Sequence, residues 1–159
     1  MTPDTYAALR TSKLAAELNE EQCRQLATVV SLHELVDGEV LVKEGSADDR
    51  LFTVVSGALG VIKDAPEGPV TLHTLTAGDL AGELSFLDAT VRYASLVALG
   101  PTQVLVLSRK ALESILDAQP HVVYHVMRSI MRTVHAIQRR LSIHQSELAN
   151  YIYKQHGRY

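Results

Sequence analysis

The chain has 159 residues, 47% of them hydrophobic and 21% charged, with a formal net charge of −3. That size and balance fit one globular domain over residues 1–159, and the negative charge argues against sequence-independent binding to DNA or RNA, which needs clustered Lys and Arg. The sequence has no secretory pattern at its start, no apolar run of membrane-spanning length and one cysteine, Cys23, so we expect a cytoplasmic protein with neither an internal disulfide nor a membrane partner.

Two helices are predicted at the N-terminal end of the chain, over residues 1–30. Apolar residues at roughly helical spacing predict a first helix from Asp4 to about Leu18. Asn19, followed three residues later by Gln22, is a capping-box pattern and predicts a second helix that runs to about Val30.

Short apolar runs divided by turn residues follow over residues 31–108. Asp37-Gly38 is typical of a two-residue turn and predicts a hairpin between Leu32–Val36 and Val40–Val42. The other predicted strands are Leu51–Val55, Leu59–Ile62, Val70–Leu75, Ala94–Ala98 and Val104–Leu107. About eight short strands with evenly spaced turns indicate an α+β fold, in which helices flank an antiparallel β-barrel or jelly roll.

Helices return over residues 109–155. A short helix is predicted over Arg109–Ala118, because Pro120 disfavours helix at the preceding residue and then suits the first turn of a new one. The new helix is predicted to run ~30 residues to Tyr151, with Gly157 at its frayed end.

Apolar residues recur along this last helix at alternating intervals of four and three, which is a heptad seam with one polar position. The seam consists of Val123, Met127, Ile130, Val134, Ile137, Leu141, His144, Leu148 and Tyr151. Its first half is expected to pack on the strands, and the part beyond Leu141 to pair with a second copy in a parallel homodimer.

The segment Gly78–Ser95 interrupts the strands with a glycine turn and one predicted helical turn. The first N–H groups of such a turn lack internal partners and suit an anion. The guanidinium of Arg92 can hold phosphate oxygens, and the carboxylate of Glu83, which only accepts, suits ribose hydroxyls. A cyclic nucleotide presents these two features together.

The letters of this segment, GDLAGELSFLDATVRYAS, resemble the phosphate-binding cassette of the cyclic nucleotide-binding family, whose pattern is G-D-x-x-G-E-[LI]-[AS]-L followed by R-x-A-[ST]. The stretch from Gly38 to Gly57 is similar to a second family signature, G-x-x-L-x-x-x-G…D-x-[LM]-[FY]-x-[IV]-x-x-G. Both patterns stand in the right order and spacing, and the resemblance extends from about Leu14 to Leu141.

The resemblance implies a ligand site built around Glu83 and Arg92. Glu83 would bind the ribose 2′-hydroxyl and Arg92 the cyclic phosphate, with backbone N–H groups around Gly82, Leu84 and Ser85 completing the phosphate cradle. The other implied ligand contacts are Val61, Leu72 and His73 on strands, Tyr93 and Ala94 beside the arginine, and Ile137 and Gln138 on a helical lid over the base.

Three residues depart from the family's pattern. Ala81 replaces the usual bulky residue before the Gly-Glu pair, and Tyr93 stands where a small or hydroxyl residue is usual. Ile137 replaces a threonine that recognises adenine in the catabolite activator protein. The cassette therefore specifies phosphate and ribose better than the base: cAMP is the expected ligand, with cGMP or a cyclic dinucleotide as alternatives.

The residues also leave open a function of another class, a scaffold that has lost its ligand, in which Glu83 and Arg92 form a mutual ion pair. An enzyme is not expected, because no catalytic motif occurs outside the cassette. A DNA-binding factor is not expected either, because few residues follow Leu141 and Arg139-Arg140 is a small basic cluster. His121 and His125 stand four apart, but without a third ligand they predict no metal site.

We therefore expect a regulatory sensor that needs no cofactor beyond its nucleotide ligand. Its signal would pass through the C-terminal helix to a separate protein partner, which the sequence does not identify.

Overall fold

A computed structural model describes residues 3–156, which fold into two antiparallel sheets with helices packed on one of them. The N-terminal helices are α1 (Pro3–Arg10), a single 3-10 turn (Lys13–Ala15) and α2 (Glu20–Ala27). The prediction of one helix from Asp4 to about Leu18 is wrong. The Ser12 backbone is extended, and the Thr11 and Ser12 hydroxyls donate to the carbonyls of Ala8 and Leu9, which ends α1 at its last turn.

The capping box at the start of α2 is confirmed. Asn19 Oδ1 accepts from the Gln22 backbone N–H at 2.9 Å, and Gln22 Oε1 accepts from the Asn19 N–H at 3.1 Å. The helix ends at Ala27, before the predicted Val30. Both the backbone N–H and the hydroxyl of Thr28 donate to the Gln25 carbonyl, which closes the last turn.

Eight strands lie within the described residues and form two four-stranded sheets, in the orders β1-β8-β3-β6 and β2-β7-β4-β5. They are β1 (Ser31–Leu35), β2 (Val40–Val42), β3 (Arg50–Ser56), β4 (Ala58–Lys63), β5 (Val70–Thr76), β6 (Leu80–Ala81), β7 (Ser95–Ala98) and β8 (Thr102–Ser108). The pairs β1–β8, β2–β7, β3–β6 and β4–β5 give the strand arrangement of a double-sheet jelly roll. A closed barrel is not confirmed, since in residues 3–156 no strand pair joins the two sheets.

The hairpin predicted at Asp37-Gly38 is wrong, although a turn does form there. The chain passes from one sheet to the other at this point, so that β1 pairs with β8 and β2 pairs with β7. The Gly38 N–H donates to the Ala98 carbonyl at 2.8 Å, and Asp37 Oδ1 accepts from the Gly100 N–H at 2.8 Å. The turn is therefore held by the neighbouring β7–β8 connection, which is a contact between residues distant in sequence.

Two hydrophobic cores result, one on each face of the β1-β8-β3-β6 sheet. Strand β3 contributes side chains to both cores, because successive residues point to opposite faces of the sheet. Phe52 and Val54 lie between the two sheets, while Leu51 faces the helices. The helical core also contains Phe86 and Ile130, which come from distant parts of the chain.

Three further helices are α3 (Glu83–Asp88), α4 (Arg109–Ser114) and α5 (Pro120–His156). The predicted helix to Ala118 is too long, because Ile115 and Leu116 bond three residues back in a tightening turn. The start of α5 at Pro120 is confirmed. The helix continues past the predicted Tyr151, and Gly157 lies outside the described residues.

The first half of α5 packs on the rest of the domain, mainly against the 3-10 turn and α2 rather than on the strands as predicted. Ile130 is buried, and Val123, Met127 and Val134 pack half-buried against the helical core. From Ile137 to Lys154, all the side chains that are described are exposed. No helix within residues 3–156 is long and apolar enough to cross a membrane.

Candidate ligand-binding site

The site is centred on Arg92, whose side chain is only 5% exposed. Its Nη2 donates to the Arg50 carbonyl at 2.6 Å and to Asp48 Oδ1 at 3.2 Å. Its Nε is buried and has no hydrogen-bond partner. This guanidinium therefore retains one N–H group without an acceptor. A buried donor in that state is energetically costly, so an added acceptor would be favourable.

Asp48, Arg50 and Phe52 hold Arg92 in place. Asp48 accepts from Arg50 Nε at 3.0 Å and 2.9 Å through its two oxygens, which makes a forked ion pair beside Arg92. The guanidinium carbons of Arg50 and Arg92 lie 5.2 Å and 5.4 Å from the Phe52 ring centre, within range of a cation–π interaction. Two cations therefore share one carboxylate and one aromatic ring.

Gly82 and Glu83 lie directly beside this cluster, at the start of α3. Gly82 has a φ of +88°, which lets the chain turn from β6 into α3. The N–H groups of Glu83, Leu84 and Ser85 form the first turn of α3, where the helix itself supplies no acceptor. The side chain of Ser85 is buried and that of Leu84 is exposed.

The charges at the site perturb one another. Burial raises the pKa of Glu83, and a hydrogen bond from its own backbone and the attraction of Arg92 do not offset this. Burial likewise lowers the pKa of Arg92 against the opposing charge of Asp48. Burial alone would raise the pKa of Asp48, but the hydrogen bonds from Arg50 outweigh burial and hold it below its ordinary value.

The mutual ion pair considered for Glu83 and Arg92 is not formed. Within residues 3–156, the salt bridge of Arg92 is made with Asp48. Glu83 attracts Arg92 only at longer range, so both groups keep polar atoms for another partner.

Two of the strand residues expected at the base side of the ligand come together across β4 and β5. Val61 is paired directly with His73, and directly opposed residues of an antiparallel pair share a face. The register shifts between Val61 and Ile62, which leaves Leu72 unpaired in a β-bulge and half exposed. Val61 itself is buried.

The end of β4 is tied to the cassette through Tyr93. The Lys63 ammonium donates to the Tyr93 carbonyl at 2.8 Å and to Glu44 Oε1 at 2.8 Å. Tyr93 has an exposed ring and Ala94 is buried. Through Lys63, the end of β4 is therefore held against the cassette.

This arrangement agrees with comparison to known proteins. The model of the cyclic nucleotide-binding domain family matches residues 32–119, more than half of the chain. The chain belongs to the cyclic nucleotide-binding domain family. Glu83 and Arg92 occupy the matched region, as do the Asp48, Arg50 and Phe52 side chains around Arg92.

Similar proteins occur among both solved structures and curated sequences. The crystal structure of a cyclic nucleotide-binding domain from Methylobacillus flagellatus has a TM-score of 0.74 and 30% identity, over 86% of this chain and 78% of that one. The Pycsar effector protein PaPycTIR of Pseudomonas aeruginosa is 33% identical over 118 residues, 74% of this chain and 37% of that protein. The CRP-like cAMP-activated global transcriptional regulator of Mycobacterium tuberculosis is 27% identical over 106 residues, 66% of this chain and 47% of that protein. The chain spans less than half the length of these two curated relatives.

The structure departs from the sequence expectation in two ways: the predicted lid residues do not pack on the domain, and the partners of Arg92 were not predicted. Ile137 and Gln138 lie on the exposed part of α5, and neither is buried by the domain. Asp48, Arg50 and Phe52 were not among the predicted site residues. The acidic pair Asp48-Asp49 followed by Arg50 was the one available signal, and the sequence analysis used this stretch only as part of the family signature.

Proposed function

We propose that this domain binds a cyclic nucleotide, with cAMP as the preferred ligand, at Arg92 and Glu83. The cyclic phosphate would bind the Arg92 guanidinium and the N–H groups of Leu84 and Ser85. Glu83 would accept from the ribose 2′-hydroxyl, and the base would lie against Val61, Leu72 and His73, with Tyr93 and Ala94 at the edge.

The proposal rests above all on the unpartnered Nε of Arg92. This donor is buried beside the positive-φ turn at Gly82, and a phosphate oxygen would supply the missing acceptor. Asp48 already occupies Nη2, so a ligand would add to an arginine that is held in position. The cAMP-activated regulator of Mycobacterium tuberculosis supports cAMP as the first choice.

Isothermal calorimetry with cAMP, cGMP and cyclic di-GMP tests the proposal on protein shown to be free of nucleotide. Binding by one of these ligands is expected, and Arg92→Ala is expected to weaken it by about a hundredfold, since each charge-assisted hydrogen bond contributes about 1.5–3 kcal/mol. Arg139→Ala removes the same charge from the exposed part of α5 and is the matched control. Tighter binding of cGMP or cyclic di-GMP would change the ligand within the proposal, whereas no binding of any of the three would favour the ligand-free scaffold.

The signal would pass from the cassette to α5 through the helical core. Phe86 of α3 and Ile130 of α5 both belong to the helical core, and both are buried. Ligand would draw the cassette inward and bring Ile137 and Gln138 over the base, so that α5 shifts relative to the sheets. The ligand can move this equilibrium only by its differential affinity for the two positions of α5.

Spin-label distances along α5, measured with and without saturating cAMP, test this movement. A change between labels on α5 and on β4 is expected. Identical distances in both states would contradict the lid and leave the binding proposal standing.

We also infer that the domain is a regulatory homodimer which signals to a separate protein. The support is the seam beyond the domain, where Leu141 and Leu148 are more than half exposed on one helix face. No catalytic role is proposed for Glu83, because a hydroxyl acceptor in a ribose site requires no proton transfer.

A further inference from the structure

A groove runs between the 3-10 turn Lys13–Ala15 and α5. It has a volume of about 260 Å³ and is partly open to solvent. Its lining residues are Lys13, Ala16, Ser129, Arg132, Thr133, Ala136 and Arg140. None of them belongs to the cassette or to the strands beside it.

Ser129 lies in this groove with an unused hydroxyl. The residue is 5% exposed, and its Oγ has no hydrogen-bond partner. A serine inside a helix ordinarily bonds back to the carbonyl four residues earlier. Thr133 does so, donating to the Ser129 carbonyl at 3.1 Å, but Ser129 does not. Since buried polar groups are almost always satisfied, this hydroxyl points to a missing partner.

Cationic side chains line the same groove as the hydroxyl. Lys13, Arg132 and Arg140 line the groove, although the chain as a whole carries a net charge of −3. The nearby carboxylate, Glu17, forms salt bridges with Arg132 Nη1 at 2.5 Å and Arg128 Nε at 3.5 Å, and it also lies 3.5 Å from His125 Nδ1. One negative charge is therefore divided between two arginines, and Lys13 and Arg140 remain in excess.

The lining of α5 is arranged on one face of the helix. Ser129, Arg132, Thr133 and Ala136 follow at intervals of three, one and three, which keeps them on a single stripe. Arg140 follows Ala136 at an interval of four, which places it on the same stripe. The two alanines of the groove leave room for a ligand.

From this combination we propose that the groove is a second ligand site, which binds the phosphate group of a small phosphorylated molecule. A phosphate has several oxygens, and these can accept together from Ser129 Oγ, Lys13 and the free N–H groups of Arg132 and Arg140. None of these groups is among those proposed to contact the nucleotide at the cassette.

Amide NMR of the 159-residue chain, titrated with inorganic phosphate and with glycerol 2-phosphate against sodium chloride of equal ionic strength, tests the site. Saturable shifts centred on Lys13–Ala16 and on residues 129–140 are expected with both phosphates. Shifts that match those of chloride would overturn the proposal, as would saturable shifts centred on Gly82–Ser85 alone.

Substitutions on one face of α5 separate the site from general charge effects. Arg140→Gln and Ser129→Ala are each expected to weaken phosphate binding about tenfold, the loss of about one charge-assisted hydrogen bond. Arg139→Gln removes the same charge one residue away, outside the groove, and is expected to leave binding unchanged. Equal weakening by Arg139→Gln and Arg140→Gln would overturn the proposal. Thermal unfolding checks the fold of Ser129→Ala, which removes an unpaired hydroxyl and is expected to be no less stable.

Discussion

Gly82 and Arg92 lie against each other at the start of α3, and no room remains for a side chain at position 82. A Cβ there would overlap Arg92 Nη1 and stand 2.8 Å from the Arg50 carbonyl. Gly82→Ala is therefore expected to displace Arg92, lower the free energy of unfolding and weaken nucleotide binding.

Gly38→Ala is the matched control for this substitution. Gly38 has a φ of +80°, close to that of Gly82, but open space around its Cβ position. It should show the backbone strain alone, about 1–2 kcal/mol, with nucleotide affinity retained. Urea unfolding and calorimetry measure both effects. Equal losses of affinity in the two variants would show that the contact with Arg92 is unimportant.

The raised pKa of Glu83 gives a second prediction at this scale. Its cause is burial, which disfavours the charged form in the folded state. A raised folded-state pKa stabilises the fold at a pH below the unfolded-state value, and this contribution is lost as the pH rises through the folded-state value. Ligand-free Glu83→Gln, which cannot ionise, is therefore expected to be more stable than the original chain at neutral pH.

Urea unfolding of both proteins between pH 4 and pH 7 measures the difference. The difference in free energy of unfolding between the two proteins should become smaller as the pH is lowered toward the ordinary pKa of glutamate, about 4.3. A pH-independent difference would mean that ionisation of Glu83 does not affect folding. Glu34→Gln, an exposed change on β1, serves as the control.

Sequence alone identified the residues proposed to face a ligand better than the residues that hold them in place. Glu83 and Arg92 follow from the cassette pattern because all its polar residues lie within one continuous segment. The Asp48 partner of Arg92 is 44 positions away in sequence. That contact exists only after β3 enters the sheet, so spacing along the chain gives no sign of it.

At the scale of elements, neighbouring residues of α5 test how its first half is held. Ile130 is 1% exposed in the helical core, whereas Met131 is 65% exposed. Ile130→Ala is expected to lower the free energy of unfolding by about 2–5 kcal/mol, from lost burial and a cavity. Met131 lies outside both cores, so Met131→Ala should change the free energy of unfolding by less than about 0.5 kcal/mol.

Urea unfolding of the two variants measures this difference. Similar small effects in both would mean that α5 is not docked on the core in solution. Circular dichroism of the folded baseline shows whether α5 stays helical when Ile130 is removed.

Elements set by local chemistry were predictable, and their pairing was not. The capping box at Asn19 and the helix start at Pro120 depend on residues within a few positions. The turn at Asp37-Gly38 has the letters of a hairpin, but pairing of β1 with β8 and β2 with β7 carries it between sheets. The two-residue strand β6 was missed because Leu80 and Ala81 are too short a run to show alternation.

At the scale of the whole molecule, the helical core connects the cassette with α5, and the sheet core does not. Phe86 and Ile130 share the helical core, while Val61 and Leu96 lie between the sheets. A shift of α3 can therefore reach α5 without a change in the pairing of the sheets. The proposed signalling requires such a separation, because the helices must shift while the sheets keep their pairing.

The proposed homodimer is tested on the part of α5 that the domain leaves uncovered. Leu141 and Leu148 lie on the heptad seam and are 60% and 63% exposed, whereas Ile143 is 53% exposed and lies off the seam. Burial of one leucine contributes about 1.5–3 kcal/mol, so charges at both seam positions, repeated in two chains, should separate a dimer.

Sedimentation velocity over a range of protein concentrations measures the result. The original chain and Ile143→Glu are expected to sediment as dimers, and the double variant Leu141→Glu with Leu148→Glu as a monomer that still binds nucleotide. If Ile143→Glu dissociates the dimer as well, the dimer contact includes residues of α5 outside the two-stranded seam. If the original chain is a monomer at every concentration, the homodimer is wrong, and the exposed leucines of α5 need another partner to bury them.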